Sequence, residues 1–111
     1  MVKNQWFDEV AKDVSQYNLS DAEVNRIASD YELMAEAMCL ANKSGINYFS
    51  VGSTPIKEDG VEQYTHGSIA GDPKLIADAI AVSMFSDPRI AEIIQDAIHS
   101  YGYLVKTSHR K

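Results

Sequence analysis

Gly71-Asp72-Pro73-Lys74-Leu75-Ile76 and, further on, Ser86-Asp87-Pro88-Arg89-Ile90 carry the same punctuation, and together they decide the architecture. In each stretch an aspartate can accept from the free N–H groups of a helix's first turn. The proline that follows sits where its missing N–H has no intrahelical partner to lose. One helix therefore begins near Pro73, and a second begins near Pro88 directly after the first stops. Helical apolar spacing follows both signals: Leu75, Ile76, Ala79, Ile80, Val82 and Met84, then Ile90, Ile93, Ile94, Ala97, Ile98 and Tyr101. Gly102 reads as the stop of the second helix, and Leu104-Val105 offers a third short strand.

Moving back toward the N-terminus, the period changes. Val61 to Ala70 reads as a strand running straight into the Gly71 turn, and Ile46-Asn47-Tyr48-Phe49-Ser50-Val51 as its partner. Between them Pro55 and Glu58-Asp59-Gly60 mark a loop of about eight residues, long for a hairpin and expected to be mobile. Before the hairpin, Ser20-Asp21-Ala22-Glu23 is a capping box, with Leu19 and Val24 at the staple positions. Val24, Ile27, Ala28, Tyr31, Met34, Ala35, Met38 and Ala41 form the stripe behind it, closed by Ser44-Gly45. Trp6, Phe7, Val10, Ala11, Val14 and Tyr17 give an earlier helix of about four turns. The spacing predicts that these two helices pair antiparallel, with Trp6, Phe7, Val10, Ile27, Tyr31, Met34 and Met38 mutually buried.

The fold class read from this order is α+β: an N-terminal helical hairpin (1–45), a β-hairpin (46–70), two short helices (72–102) and a tail (103–111). The length of 111 residues fits one compact domain over 1–111. No apolar run approaches the roughly 20 residues of a membrane span, and the N-terminus lacks the pattern of a secretion signal. Cys39 alone cannot form an internal disulfide or a zinc–thiolate cage, and its place on a helix reads as small-residue packing. Cytoplasmic residence is the expectation.

The net charge is −6, with eight acids against four bases in residues 1–43 and five against two in residues 72–100. Such a body repels phosphate backbones, so direct nucleic-acid binding is disfavoured. Lys106, Arg110 and Lys111 make a basic end too short to reverse this, expected to fray.

Each catalytic pattern lacks parts. The Gly71 turn has one glycine where a phosphate loop needs several, and Asp72 would repel the anion. Asp96 and His99 share a helix face, but no second close pair completes a metal site. No serine stands in a nucleophile elbow. In Tyr64-Thr65-His66-Gly67-Ser68, the residues Tyr64, His66 and Ser68 share one strand face, read as polar and turned to solvent. A recognition helix at residues 21–43 would present Asp21, Glu23, Asp30 and Glu32 to DNA, which excludes a helix-turn-helix reader.

What remains is a small acidic interaction protein without catalysis or cofactor, an inhibitor or adaptor for a protein partner, and itself a homodimer. In size and acidity it resembles virus-encoded inhibitors of bacterial defence systems, the phage-type anti-defence (anti-CRISPR) proteins. Some of these offer carboxylates in place of nucleic-acid phosphates. The carboxylates expected to bind are Asp8, Glu9, Asp13, Asp21, Asp30 and Glu32. An alternative is a small-molecule or nucleotide-sequestering protein formed at an oligomer interface, using Tyr48, Tyr64, Thr65, His66 and the 53–60 loop. A third reading is a weak hydrolase using His66.

Overall fold

The computed structural model describes residues 1–108. Arg110 and Lys111, with His109, lie outside the described residues, and so does most of the basic end expected to fray. The order is α1 (Phe7–Asp13), a 3₁₀ turn (Ser15–Tyr17), α2 (Asp21–Ser44), β1 (Tyr48–Pro55), β2 (Gln63–Ala70), α3 (Pro73–Ser86) and α4 (Pro88–Ser108). The fold is α+β. The chain divides into two compact units, Met1–Asp72 and Pro73–Lys111.

In the first unit, α2 begins as its capping box requires. Ser20 Oγ accepts from Glu23 N–H at 3.2 Å, and Glu23 Oε1 accepts from Ser20 N–H at 3.2 Å. The helix closes on Gly45 in the left-handed region, φ 69°. The first helix is shorter than the expected four turns. It stops at Asp13, tightens into the 3₁₀ turn, and ends at Asn18 with φ 53°. Tightened last turns are common where no glycine closes a helix, and asparagine tolerates the left-handed conformation. Val14 and Tyr17 still reach the core.

That core contains Phe7, Val10, Val14, Val24, Ile27, Ala28 and Ile56. Trp6, Tyr31, Met34 and Met38 are half-buried rather than mutually enclosed as expected, because α1 spans only the beginning of α2. Further along, α2 lies over the hairpin: a Cβ added at Gly52 would stand 2.5 Å from Met34 Sδ. Cys39 is exposed rather than packed.

The strands pair antiparallel in the register Tyr48↔Ala70, Ser50↔Ser68, Gly52↔His66 and Thr54↔Tyr64 on the face turned to α2, with Phe49↔Ile69, Val51↔Gly67 and Ser53↔Thr65 on the other. The first set is buried or half-buried and the second exposed. The polar strand face expected in solvent is therefore the inner one. It is tolerated inside because its hydroxyls find partners. Ser50 Oγ and Ser68 Oγ lie 2.8 Å apart, and Thr54 donates to Asp30 at 2.6 Å. The loop expected to be mobile is anchored at its start, where Ile56 is buried and its N–H donates to Glu62 O at 2.9 Å.

In the second unit, α3 and α4 meet at Asp87. Its backbone oxygen accepts from Ile90 and Ala91, and its carboxylate from the Arg89 N–H and guanidinium. The expected stop at Gly102 and strand at Leu104-Val105 do not occur. The helix continues through both to Ser108. Tyr101, Leu104 and Val105 prolong the stripe at helical spacing. A helical glycine costs only about 1 kcal/mol relative to alanine, too little to interrupt it.

Candidate functional site

Two surfaces of the first unit have the make-up of binding sites. The first is a groove of about 570 Å³ where the 3₁₀ turn and α2 meet β2, lined by Asp13, Gln16, Tyr17, Tyr31, Tyr64 and His66 among others. Its aromatic rings are mutually ordered. Tyr31 stands edge-on to Trp6 at 5.2 Å, to Tyr64 at 6.1 Å and to His66 at 4.9 Å. Such T-shaped contacts match positive ring edges to negative faces and hold the rings in place.

Strand β2 supplies Tyr64 and His66 from one face because they are two residues apart. The Tyr64 hydroxyl donates to Asp13 Oδ2 at 2.8 Å. Burial first, and then that carboxylate acceptor, push the phenol well above its ordinary range, because both penalise the phenolate. Tyr17 is also raised, chiefly by its hydrogen bond with Glu62, and the Lys57 ammonium lies 5.6 Å from its ring centre. His66 Nε2 is buried and has no hydrogen-bond partner among the described residues. Ser68, on the same strand face, is hydrogen-bonded with Ser50.

The second surface is the outer face of the hairpin. Phe49, Val51 and Ile69 are exposed by 45%, 71% and 52%. Alternation along Tyr48–Pro55 separates Phe49 and Val51 from Ser50, Gly52 and Thr54. Apolar preference alone would have turned the first pair inward.

The acids read as a binding set are dispersed in role. Asp8 and Glu9 are exposed on the first turn of α1 and Asp21 on the first turn of α2. Asp13 belongs to the groove. Asp30 is half-buried and accepts from Thr54 and, at 3.4 Å, from Arg26, whose guanidinium also reaches the Pro55 carbonyl. Glu32 accepts from Asn4 Nδ2 at 3.1 Å and from Gln5. Asp30 and Glu32 thus bind α2 to the hairpin and to the N-terminal segment. Tyr48, opposite Ala70, stands at the far end of the inner face from Tyr64 and does not join the groove. By helical spacing Tyr31 and Tyr17 are core or helix-face residues. Their contribution to the groove needs the crossing of three elements, which no local pattern encodes.

Among the described residues no three His, Cys, Asp or Glu side chains are grouped to hold a metal ion, and no helix is long and apolar enough to cross a membrane. Comparison with protein-family models, curated proteins and solved structures returned no match.

Proposed function

We propose that this chain is a small acidic interaction protein without catalysis, an inhibitor or adaptor that docks on a partner protein through the outer face of its β-hairpin. The observation that carries the reading is the reversed polarity of the hairpin. Ser50, Thr54, Tyr64 and Ser68 face α2, while Phe49, Val51 and Ile69 share the outer face with Ser53 and Thr65. A sheet that spends hydrogen bonds inward and leaves its apolar side chains outside gains by covering them, and contiguous exposed apolar surface is the usual mark of a protein contact. Among the described residues the sheet has two strands, so each keeps one edge without a strand partner. The exposed acids Asp8, Glu9 and Asp21 favour a partner whose contact is rimmed by basic groups. In the anti-defence case the acids rather than the sheet would make the main contact, standing in for phosphate. An exposed single thiol at Cys39 fits a reducing compartment such as the cytoplasm.

The test compares wild type with a Phe49→Ser, Val51→Ser, Ile69→Ser variant against a partner recovered by cross-linking and then purified. At least tenfold weaker binding by the variant, with its melting temperature retained, supports the sheet as the contact. Equal binding by the two overturns it.

A second reading, small-molecule binding, is favoured by the groove at Asp13, Tyr64 and His66. Asp13 there, with Glu62 bonded to Tyr17, favours an amine or guanidinium over a nucleotide phosphate. Native mass spectrometry of the freshly purified protein tests it. A retained small cation lost on Asp13→Asn would support this reading over the first.

A further inference from the structure

We infer that α4 is a self-association helix, and that its apolar stripe packs antiparallel against the same stripe of a second copy. No residue of this helix is buried, although Ile90, Ile94, Ala97, Ile98, Tyr101 and Leu104 recur on one face at helical spacing. Ile93, Ile98, Tyr101 and Leu104 are each 63% to 68% exposed. Along α4 burial rises only toward the turn at Asp87, where Ile90 and Ile94 are half-covered, and nearly every residue from Gln95 to Ser108 is exposed. A helical stretch of that length is marginal in water without a surface to pack on. Units below about 40 residues usually need a metal, a disulfide or oligomerisation, and Pro73–Lys111 is such a unit with no cysteine.

The occupant follows from area and shape. Covering the α4 stripe from Ile93 to Val105 removes on the order of 500 Å² per copy. Two copies then bury about 1,000 Å² in total, the lower bound for a specific interface. No charged side chain lies within the stripe: Glu92, Asp96, His99 and Lys106 fall on the opposite half of the helix, so the face meets a copy of itself without repulsion. Parallel packing would set Tyr101 against Tyr101 and leave Ala97 facing Ala97. Antiparallel packing about the level of His99 sets Tyr101 against Ala97, large against small, and brings Ile94 level with Leu104. It also opposes the helix dipoles and brings the end bearing Glu92 and Asp96 beside the end bearing Lys106.

Sedimentation equilibrium of the full chain at micromolar concentration should give twice the 12.3 kDa chain mass. Ile98→Glu with Leu104→Glu should return it to a monomer that keeps the Trp6 emission of wild type. Spin labels in a Cys39→Ser background then read orientation. A label at residue 99, level with the twofold but on the outer half of each helix, should give the shorter of two intermolecular distances. A label at residue 92, on the same outer half, is displaced from its mate by about 21 Å along the helix axes, seven residues of 1.5 Å rise counted from each copy, so its distance should be longer. A monomer at high micromolar concentration, a dimer indifferent to both α4 substitutions, or equal distances at the two labels would each overturn the inference.

Discussion

The Tyr64 hydroxyl lies 2.8 Å from Asp13 Oδ2, so the second strand of the hairpin is bonded directly to the last residue of α1. The bond joins elements distant in sequence, and it makes the groove sensitive to pH. Tyr64 titrates above an unfolded tyrosine, whose pKa is about 10, so its contribution is complete below that pH. It is lost as the pH rises further, because the unfolded chain releases the proton before the folded one does. Tyr64→Phe should lower stability at neutral pH by about 0.5–1.5 kcal/mol and flatten the alkaline decline. Urea midpoints of both proteins at about pH 8 and about pH 10.5 measure this. Identical pH dependence would show that the bond is not populated.

Trp6 packs edge-on against Tyr31 at the mouth of the same aromatic cluster. Because it is half-buried, Trp6→Ala should cost about 1–3 kcal/mol, less than deletion of a fully enclosed tryptophan. Thermal melts with tryptophan emission as a companion signal test the packing. Unchanged melting and a fully solvent-exposed emission maximum in wild type would contradict it.

The two glycines at 71 and 102 should respond in opposite directions to alanine. Gly71 has φ 91°, and a Cβ there would stand 3.0 Å from Asn47 Cα, so Gly71→Ala should destabilise by more than about 1 kcal/mol. Gly102 lies inside α4 with open space around its Cβ position, so Gly102→Ala should stabilise by roughly 0.5–1 kcal/mol. Paired denaturant titrations give both signs at once.

Ser20→Ala should cost about 1 kcal/mol by opening the capping box. The Ser20 backbone N–H, and then its hydroxyl, hold the Glu23 carboxyl below its ordinary range. The contribution of Glu23 is therefore present above the unfolded pKa of about 4.3 and lost as pH falls through the lower folded value. Acid titration of wild type and variant, followed by helical circular dichroism, should show a smaller acid loss in Ser20→Ala.

Among the acids, Asp8→Asn, Glu9→Gln and Asp21→Asn together should leave melting nearly unchanged, because exposed charges contribute little to folding. They should slow association with a basic partner about tenfold at low salt, an effect that fades as salt rises. Asp30→Asn should behave differently and lower stability, since Asp30 accepts from Thr54 and Arg26. An association rate equal to wild type at both salt levels would reduce the acidity to a matter of solubility.

Most element starts were legible because they are local. Ser20 and Glu23 are three residues apart, and Pro73 and Pro88 act through their own rings. The ends were less legible. Gly102 carried a stop signal that the stripe through Tyr101, Leu104 and Val105 outweighed, and the end of α1 depended on Asn18 adopting a left-handed conformation. Of the candidate site, Tyr64 and His66 were legible as a pair on one strand face. Tyr31, Tyr17 and Asp13 joined them only when α2 and the 3₁₀ turn crossed that strand.

By itself the chain's sequence determined the α+β order, the helix caps, the strand alternation and the sign of the charge, since each rests on contacts within a few residues. Only the tertiary structure decided which way the hairpin faces. Alternation with a period of two assigns Phe49, Val51 and Ile69 to one side and Ser50, Thr54, His66 and Ser68 to the other without saying which is inside. The inward side went to the polar set because Asp30 and Arg26 on α2, Asp13 on α1 and the Ser50–Ser68 pair supply its hydrogen bonds, and those partners lie far away in the chain.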